Sequence, residues 1–393
     1  MNTKINKSFK SKVTTLISAA LVISFFAIPI VGIISSNQDI IESENRRIYQ
    51  FPEISIKSLS SKKFLYDLSK YFEDRLLFRF SLNSLTEPVY NKKFFKGFEA
   101  NKQGLAIEGL DNWLFLSSDK YYKQHTEDVP FNSQRQKFIV NKIKKVQDLA
   151  QGVPTYIIVG PDKLGIYPEK AVPWIGHPGK YRLANKKIQF MQEQGLTVLD
   201  NYALLKDHKK DGILYYLGDT HWNQYAAYLA FNSNMETILG KDFVKKPYKY
   251  SWSIRKSGDL GNGFGGYENS YVYDCAIFYL DKQDDLTVKA YKQLQVPYFE
   301  SIQKELTGGN IPNYHPFEDV IETINLKAPI KKTVVIYADS FYHAGYRIFC
   351  EGIFEHIITI HHNALIEEKA IAQDIIKKFK PDLILYECVE RDL

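Results

Sequence analysis

Lys332-Thr333-Val334-Val335-Ile336-Tyr337-Ala338-Asp339-Ser340-Phe341 is the stretch whose reading decides the fold. Val334 to Tyr337 form a run of β-favouring residues, as in a buried strand, and the run stops at a small residue, an acid and a serine. A serine at the corner where a strand turns into a helix holds its hydroxyl above the sheet. Its own N–H and the next one can then point at a developing oxyanion. Asp and Ser suit a plain helix N-cap equally well, so this stretch alone leaves both readings open. Far upstream, Gly218-Asp219-Thr220-His221-Trp222 supplies the acid and the imidazole that a serine nucleophile needs.

Between and around these stretches the pattern alternates. A helix expected around 134–150 leads through Gly152 and Pro154 into the strand Thr155 to Val159, and a helix around 181–194 ends at Gly195 before the strand Leu196 to Asp200. The Asp219 stretch opens a helix with Trp222, Tyr225, Ala226, Leu229 and Ala230 on one face. After Ser340 come a helix, a strand from His356 to His361, a helix with Ala372, Ile375, Ile376 and Phe379 inward, and a last strand from Leu383 to Tyr386. Apolar strands alternating with helices predict an α/β fold, with a parallel sheet flanked by helices. The interval from about 240 to 330 is rich in Gly, Asn, Lys and Tyr and reads as an irregular insertion of loops and short strands. Gly261, Gly263 and Gly266 spell G-x-G-x-x-G there, but no strand precedes them and no helical pattern follows. Residues 104–116 read as a hairpin, and Ser61 to Phe80 as an amphipathic helix.

The N-terminus carries a different message. Lys4, Lys7, Lys10 and Lys12 precede an uncharged run from Val13 to Ile34, long enough to cross a bilayer as a helix. The lysines then lie in the cytoplasm and the rest of the chain outside. A cleaved signal peptide is the competing reading, against which stand the length of the run and the lack of an Ala-x-Ala site after it. The expected organisation is a cytoplasmic tail (1–12), a signal-anchor (13–34), a linker with a helical region (35–100) and a catalytic domain (101–393). Three widely spaced cysteines give neither a disulfide framework nor a CxxC metal site. A net charge of +6 spread over 393 residues, with no basic stripe, gives no sign of nucleic-acid binding. The aromatic share of 14% fits a Tyr-rich core as well as exposed rings that stack on sugars.

A serine hydroxyl is a poor nucleophile until a base removes its proton, and an imidazole does so best when a carboxylate fixes its tautomer. Asp219 and His221, two apart before a helix, can bring acid and base to Ser340 from one short loop. Asp-x-His is also a spacing that metal sites use, with His361, His362 or Asp339 as a third partner. A histidine simply packed beside Trp222 is the plainer alternative.

Asp219-Thr220-His221-Trp222 together with Ala338-Asp339-Ser340-Phe341 resembles the alginate O-acetyltransferase-like proteins of bacterial polysaccharide export. Further signposts stand in the expected order across most of the exported part. They are Glu44-Asn45-Arg46, Tyr71 to Arg75, Trp113-Leu114-Phe115, Pro161-Asp162-Lys163, Ile166 to Glu169, Gly258-Asp259-Leu260 and Glu387 to Arg391. Two positions depart from the pattern: Ala338 and Asn112 stand where glycine is commoner. The resemblance implies an SGNH-hydrolase-like fold, circularly permuted so that the Asp-x-His block precedes the serine block. It also implies acetyl transfer to a polysaccharide hydroxyl outside the cytoplasm. Ser340 would carry the acetyl group, His221 would serve as base and then acid, and Asp219 would orient it, with no metal and no bound cofactor. Phe341 or Ser340 would offer an oxyanion N–H, and Lys163 would line the cleft. The implied partners are a multi-spanning membrane acyltransferase as acetyl donor, a polysaccharide acceptor and, through the N-terminal helix, the membrane. An esterase using the same triad, or a non-catalytic polysaccharide-binding scaffold, are the alternatives.

The N-terminal reading has a direct test. Protease added outside intact spheroplasts is expected to digest the folded part and leave a small membrane-bound stub; protection of the bulk of the protein would overturn it.

Overall fold

Period-two alternation sets the layers. Along Ile330–Ala338, the side chains of Val334, Ile336 and Ala338 join one apolar cluster and those of Val335 and Tyr337 join another. The same division runs through Leu383–Val389, where Leu383 and Leu385 face one way and Ile384 and Tyr386 the other. It recurs in Thr155–Gly160, with Ile158 opposed to Ile157 and Val159. A strand buried on both faces must read as a continuous apolar run, which is why these were the legible ones.

The computed structural model describes residues 40–41, 46–47, 50–52, 54, 62–74, 106–116, 119–171, 179–245, 249–254, 258–260, 274–279, 286–294, 299–303 and 319–393. Two compact units divide the chain, residues 1–92 and 93–393. In the first, a helix spans Lys62–Asp74, and the ring of Tyr71 meets that of Phe51 edge-on at 5.2 Å. The apolar run from Val13 to Ile34 lies outside the described residues, among which no helix is long and apolar enough to cross a membrane.

The second unit is built on an eight-stranded sheet. Its strands are β1 (Thr155–Gly160), β2 (Thr197–Asp200), β3 (Leu286–Tyr291), β4 (Phe299–Gln303), β5 (Val320–Asn325), β6 (Ile330–Ala338), β7 (Phe354–His361) and β8 (Leu383–Val389). The order across the sheet is β4-β3-β5-β7-β6-β8-β1-β2. From β7 to β2 all neighbours are parallel, with Val335 of β6 opposite Ile358 on one side and Ile384 on the other. The strands β5, β3 and β4 are antiparallel to their neighbours.

This corrects the expected all-parallel sheet: the sheet is mixed. Among the described residues of the 240–330 interval, read from the sequence as loops and short strands, β3, β4 and β5 extend the main sheet, and Lys249–Ile254 pairs antiparallel with Asp274–Tyr279. In β3 only alternate residues are buried at first (Leu286, Val288, Ala290), with Thr287 and Lys289 between them. That one-sided pattern is weaker than the solid apolar runs of the parallel half.

Helices α1 (Ser133–Leu149), α2 (Leu183–Glu193) and α5 (Ile371–Phe379) cover one face, whereas α3 (Gln224–Leu239) and α4 (Arg347–Ile353) cover the other. Asn132 caps α1 by accepting the Arg135 N–H at 3.0 Å, and Asn223 caps α3 by accepting that of Ala226 at 3.0 Å. The expected hairpin is present as Ala106–Glu108 with Leu114–Leu116. Asp111 and Asn112 turn it in the left-handed region, at φ 54° and 63°; asparagine tolerates that conformation, so the missing glycine costs little.

Val334, Val335 and Ile336 are fully buried, each worth about 1.5–3 kcal/mol in removed apolar surface. Ile336→Ala is expected to lower the unfolding free energy by about 2–5 kcal/mol. Leu326→Ala, at a side chain 72% exposed, should change it by less than about 0.5 kcal/mol. Urea denaturation of the two variants checks the contrast.

Candidate active site

The end of β6 delivers the serine. Ala338 closes the strand, Asp339 stands in the turn, and Ser340 is the first residue of the following helical segment. Asp339 is buried and holds the turn from two sides. Its Oδ1 accepts the Phe341 N–H at 2.7 Å, and its Oδ2 accepts the Val389 N–H, at the end of β8, at 2.7 Å. Beneath it, Glu387 Oε2 accepts the Asp339 N–H at 3.4 Å. Burial, and then the Asp339 charge, push the Glu387 carboxyl far above the usual carboxylate range. A π-helical turn, Tyr342–Tyr346, continues from the serine, an irregularity often found beside functional sites. Gly345 lets this turn press against α3, since a Cβ there would come within 2.9 Å of the Ala227 Cβ.

The acid and the base arrive on a tight loop between Leu214 and Asn223, which are joined by an N–H···O bond of 2.8 Å. The isolated bridge of Tyr215 with Trp222 tightens it further. Asp219 Oδ1 accepts both the His221 N–H at 3.0 Å and the imidazole Nδ1–H at 2.5 Å. Burial alone would lower the imidazole's pKa. The Asp219 charge and hydrogen bond, joined by the Asp259 charge, outweigh burial and leave it raised. Nε2 is buried and, among the described residues, makes no hydrogen bond.

The serine and histidine blocks touch through aromatic packing and one hydrogen bond. The His221 ring lies 5.0 Å from the Phe341 ring, and the Trp222 indole N–H donates to the Phe341 carbonyl at 2.9 Å. The structure thus brings Asp219, His221 and the Ser340 turn to one edge of the sheet. It joins the first two directly and leaves the hydroxyl of Ser340 unbonded to Nε2.

The subsidiary residues divide between the reacting centre and its support. The Phe341 N–H is occupied by Asp339, which leaves the Ser340 N–H, at the first helical position, as the donor without an intrahelical partner. Lys163 is buried, and its ammonium donates to the carbonyls of Leu114 (2.6 Å), Leu217 (2.6 Å) and Asp219 (3.0 Å). All three protons are therefore engaged in holding the loop, and burial brings its pKa down to about 7. It borders a small open pocket with Tyr121, Tyr122, Thr220 and Arg391 but offers that pocket no free donor.

Asp259 was quoted in the sequence only as a signpost, and it stands in the site itself. Its Oδ2 lies 3.6 Å from His221 Nδ1, and its carboxyl pKa is raised by burial and by the neighbouring Asp219 charge. Nothing local in Gly258-Asp259-Leu260 predicts this placement, because the contact spans 40 residues.

Among the described residues, two groups bring three metal-type donors within 4.8 Å of one another: Asp219, His221 and Asp259, and His125, Asp162 and Glu390. In the first, Nδ1 is bonded to Asp219 and the Asp259 oxygens to Thr220. In the second, Arg391 pairs with Asp162 and Arg182 with Glu390. The donors of both groups are thus already engaged by protein partners. His361 and His362 join neither group, and His362 Nδ1 faces the Tyr386 hydroxyl at 3.2 Å.

Residues 106–275 match the sequence model of the SGNH hydrolase-like domain of acetyltransferase AlgX. That match supports the likeness to the alginate O-acetyltransferase-like family; it includes Asp219, His221 and Asp259 and ends before Ser340. No curated protein matches the chain by sequence. Among solved structures, Bacillus cereus PatB1 is similar at 15% identity and a TM-score of 0.52, over 72% of this chain and 95% of that one. PatB1 with a sulfonyl adduct gives 16% and 0.52, over 72% and 94%. A DHHW family protein from Eubacterium siraeum gives 14% and 0.50, over 73% and 94%. These likenesses show a shared fold, and the SGNH-like assignment itself comes from the family-model match.

The turn at Ser340 depends on a carboxylate with two acceptor oxygens. Asp339→Asn places an amide NH2 against one of two buried N–H groups, so it is expected to cost about 1–3 kcal/mol. Chemical denaturation measures the loss, and a stability equal to the parent's would show that the two bonds are dispensable.

Proposed function

We propose that this protein is an O-acetyltransferase that moves an acetyl group, through an acetyl-Ser340 intermediate, onto hydroxyls of an exported or cell-surface polysaccharide. The observation that carries the proposal is the Asp219–His221 pair, bonded at 2.5 Å with its Nε2 unengaged, beside the turn that bears Ser340. A proton fixed on Nδ1 by a carboxylate leaves the Nε2 lone pair as the base. The bond between the Ser340 hydroxyl and Nε2 would form on substrate binding, since catalytic hydrogen bonds often close only in the complex.

In the first half-reaction His221 Nε2 takes the Ser340 proton while the hydroxyl oxygen attacks the acetyl carbonyl. The Ser340 N–H stabilises the oxyanion, and the protonated imidazole then gives its proton to the departing donor group. In the second, a sugar hydroxyl gives its proton to Nε2 and attacks the acetyl ester, and the serine leaves with that proton. Asp219 holds the imidazole throughout and steadies its positive charge. The sulfonyl adduct in the PatB1 relative is consistent with a reactive group in this fold.

The acetyl donor that best fits an extracytoplasmic domain is a multi-spanning membrane acyltransferase, with the apolar run 13–34 as membrane anchor. Hydrolysis would share the first half-reaction, with water in place of the sugar. The open pocket bordered by Tyr121, Tyr122 and Thr220 is a candidate place for the sugar in either reaction.

Excess p-nitrophenyl acetate is expected to add one acetyl group, which peptide mapping places on the peptide carrying Asp339-Ser340-Phe341. Ser340→Ala and His221→Ala should both fail to acquire it, and their effects should not add. An acceptor oligosaccharide should discharge the adduct faster than water; acetate as the sole product with every acceptor would make the protein an esterase. Chelation should leave these rates unchanged.

Only neutral imidazole can take the proton. The rate of acetylation should therefore fall as the pH drops through the raised His221 pKa, above the ordinary value of 6.5. A pH–rate profile checks the limb.

A further inference from the structure

The loop that carries Asp219 and His221 is held from outside by a segment of three described residues, 258–260, which lies far from it in sequence. Gly258 N–H donates to the Gly218 carbonyl at 3.2 Å, and Asp259 N–H to Asp219 Oδ2 at 3.4 Å. Thr220 N–H donates to Asp259 Oδ1 at 2.8 Å, and the Thr220 hydroxyl to Asp259 Oδ2 at 2.5 Å. Three consecutive residues of the loop are thus each bonded to this segment. A Cβ at Gly258 would overlap the Asp219 side chain, so only glycine lets the backbone come this close. Leu260, fully buried with Ala106 and Leu114, anchors the segment.

We propose that Asp259 is a positioning residue for the base, clamping Thr220 so that the His221 proton is held on Nδ1, toward Asp219. The proposal rests on the reading of His221 as the base.

The tautomer argument follows from the Thr220 hydroxyl, which lies 3.4 Å from His221 Nδ1. A hydroxyl has one proton. With that proton directed to Asp259, Thr220 presents only lone pairs to the ring, and Nδ1 must be the donor. The Asp259 carboxylate, 3.6 Å away, adds a second negative charge on the same side. Without it, the threonine proton is free to turn toward Nδ1 and compete with Asp219, which weakens the hold on the Nδ1–H tautomer and admits the one protonated on Nε2, which cannot accept the serine's proton.

The two carboxylates beside the ring act together against one guanidinium. Asp219 and Asp259 favour a proton on the imidazole, and Arg391 opposes it. Lys163, beneath the loop, is tied to three carbonyls including that of Asp219.

The test uses the full-length protein in detergent, labelled with 15N-histidine, with the His221 signals identified by their loss in His221→Asn. Long-range 15N–1H spectra report which ring nitrogen carries the proton and, over a pH series, the pKa; neither readout needs catalysis. The parent is expected to show the Nδ1–H tautomer. Asp259→Asn should lower the His221 pKa and populate the Nε2–H form. It should also move the acid limb of Ser340 acetylation by p-nitrophenyl acetate down by about one pH unit, equivalent to a tenfold change in proton affinity. kcat should fall and KM stay unchanged. Thr220→Val, which cannot donate to either group, should keep the Nδ1–H tautomer but loosen the loop and lower kcat, with Thr220→Ser restoring the rate.

A folded Asp259→Asn protein with the parent's tautomer and pKa overturns the clamp, whatever its activity. Should that variant not fold, a Thr220→Val protein with the parent's kcat overturns it instead. A parent with the expected tautomer that never acetylates Ser340 leaves the clamp standing and defeats the proposed function.

Discussion

Every strand in the parallel half of the sheet must end somewhere, and where it ends it releases backbone N–H and C=O groups into a buried edge. Those groups need partners, because an unsatisfied buried amide costs about 1–3 kcal/mol. At this edge they find side chains. Asp339 serves the N–H groups of Phe341 and Val389, and Glu390 accepts the Asp162 N–H at 2.7 Å. Asn201 Nδ2 donates to the Val159 carbonyl at 3.0 Å, and Lys163 answers three carbonyls at once. The polar side chains of the site are thus first of all the means by which the sheet edge can be closed without water.

Satisfying backbone groups with charges creates a second problem, since buried charges must themselves be balanced. The chain does so with arginine. Arg182 forks onto Asp200 at 2.6 and 2.8 Å and reaches Glu390 with Nε at 2.6 Å, while Arg391 pairs with Asp162 at 2.5 Å. Burial would raise the Asp162 pKa, but Arg391 and His125 bring it down to about 2. Removing one member would leave an unpaired charge in a dry setting, which is why such networks resist piecemeal change. The guanidinium of Arg391 also lies 5.4 Å from the Phe341 ring, so the network that closes the sheet edge packs directly against the Ser340 turn.

How much of this was legible follows from the range of the interactions. Val334 to Tyr337 announced a strand because burial on both faces forces an unbroken apolar run, and Asp219 with His221 announced a pair because their bond spans two residues. Strand β3 is weakly marked in the sequence, because its one-sided burial leaves Thr287 and Lys289 between Leu286, Val288 and Ala290 and so gives no solid apolar run. Lys163, expected from the resemblance to line the cleft, borders the pocket, but its partners are carbonyls 49, 54 and 56 residues away, and no local pattern encodes those. Of the two N–H groups expected to offer themselves to an oxyanion, Phe341 or Ser340, the neighbouring acid takes that of Phe341, as Asp often does two residues before an N–H.

Two carboxylates beside one imidazole set opposing demands. A base of higher pKa takes the serine's proton more readily, but a larger share of it is already protonated near neutral pH. Asp219 and Asp259 push upward, and burial with Arg391 pushes back. Asp259 also bears on itself: buried and crowded by Asp219, its own carboxyl is raised. The pull on the imidazole is thus set by two carboxylates that also act on each other, so the three groups titrate as a unit rather than one by one.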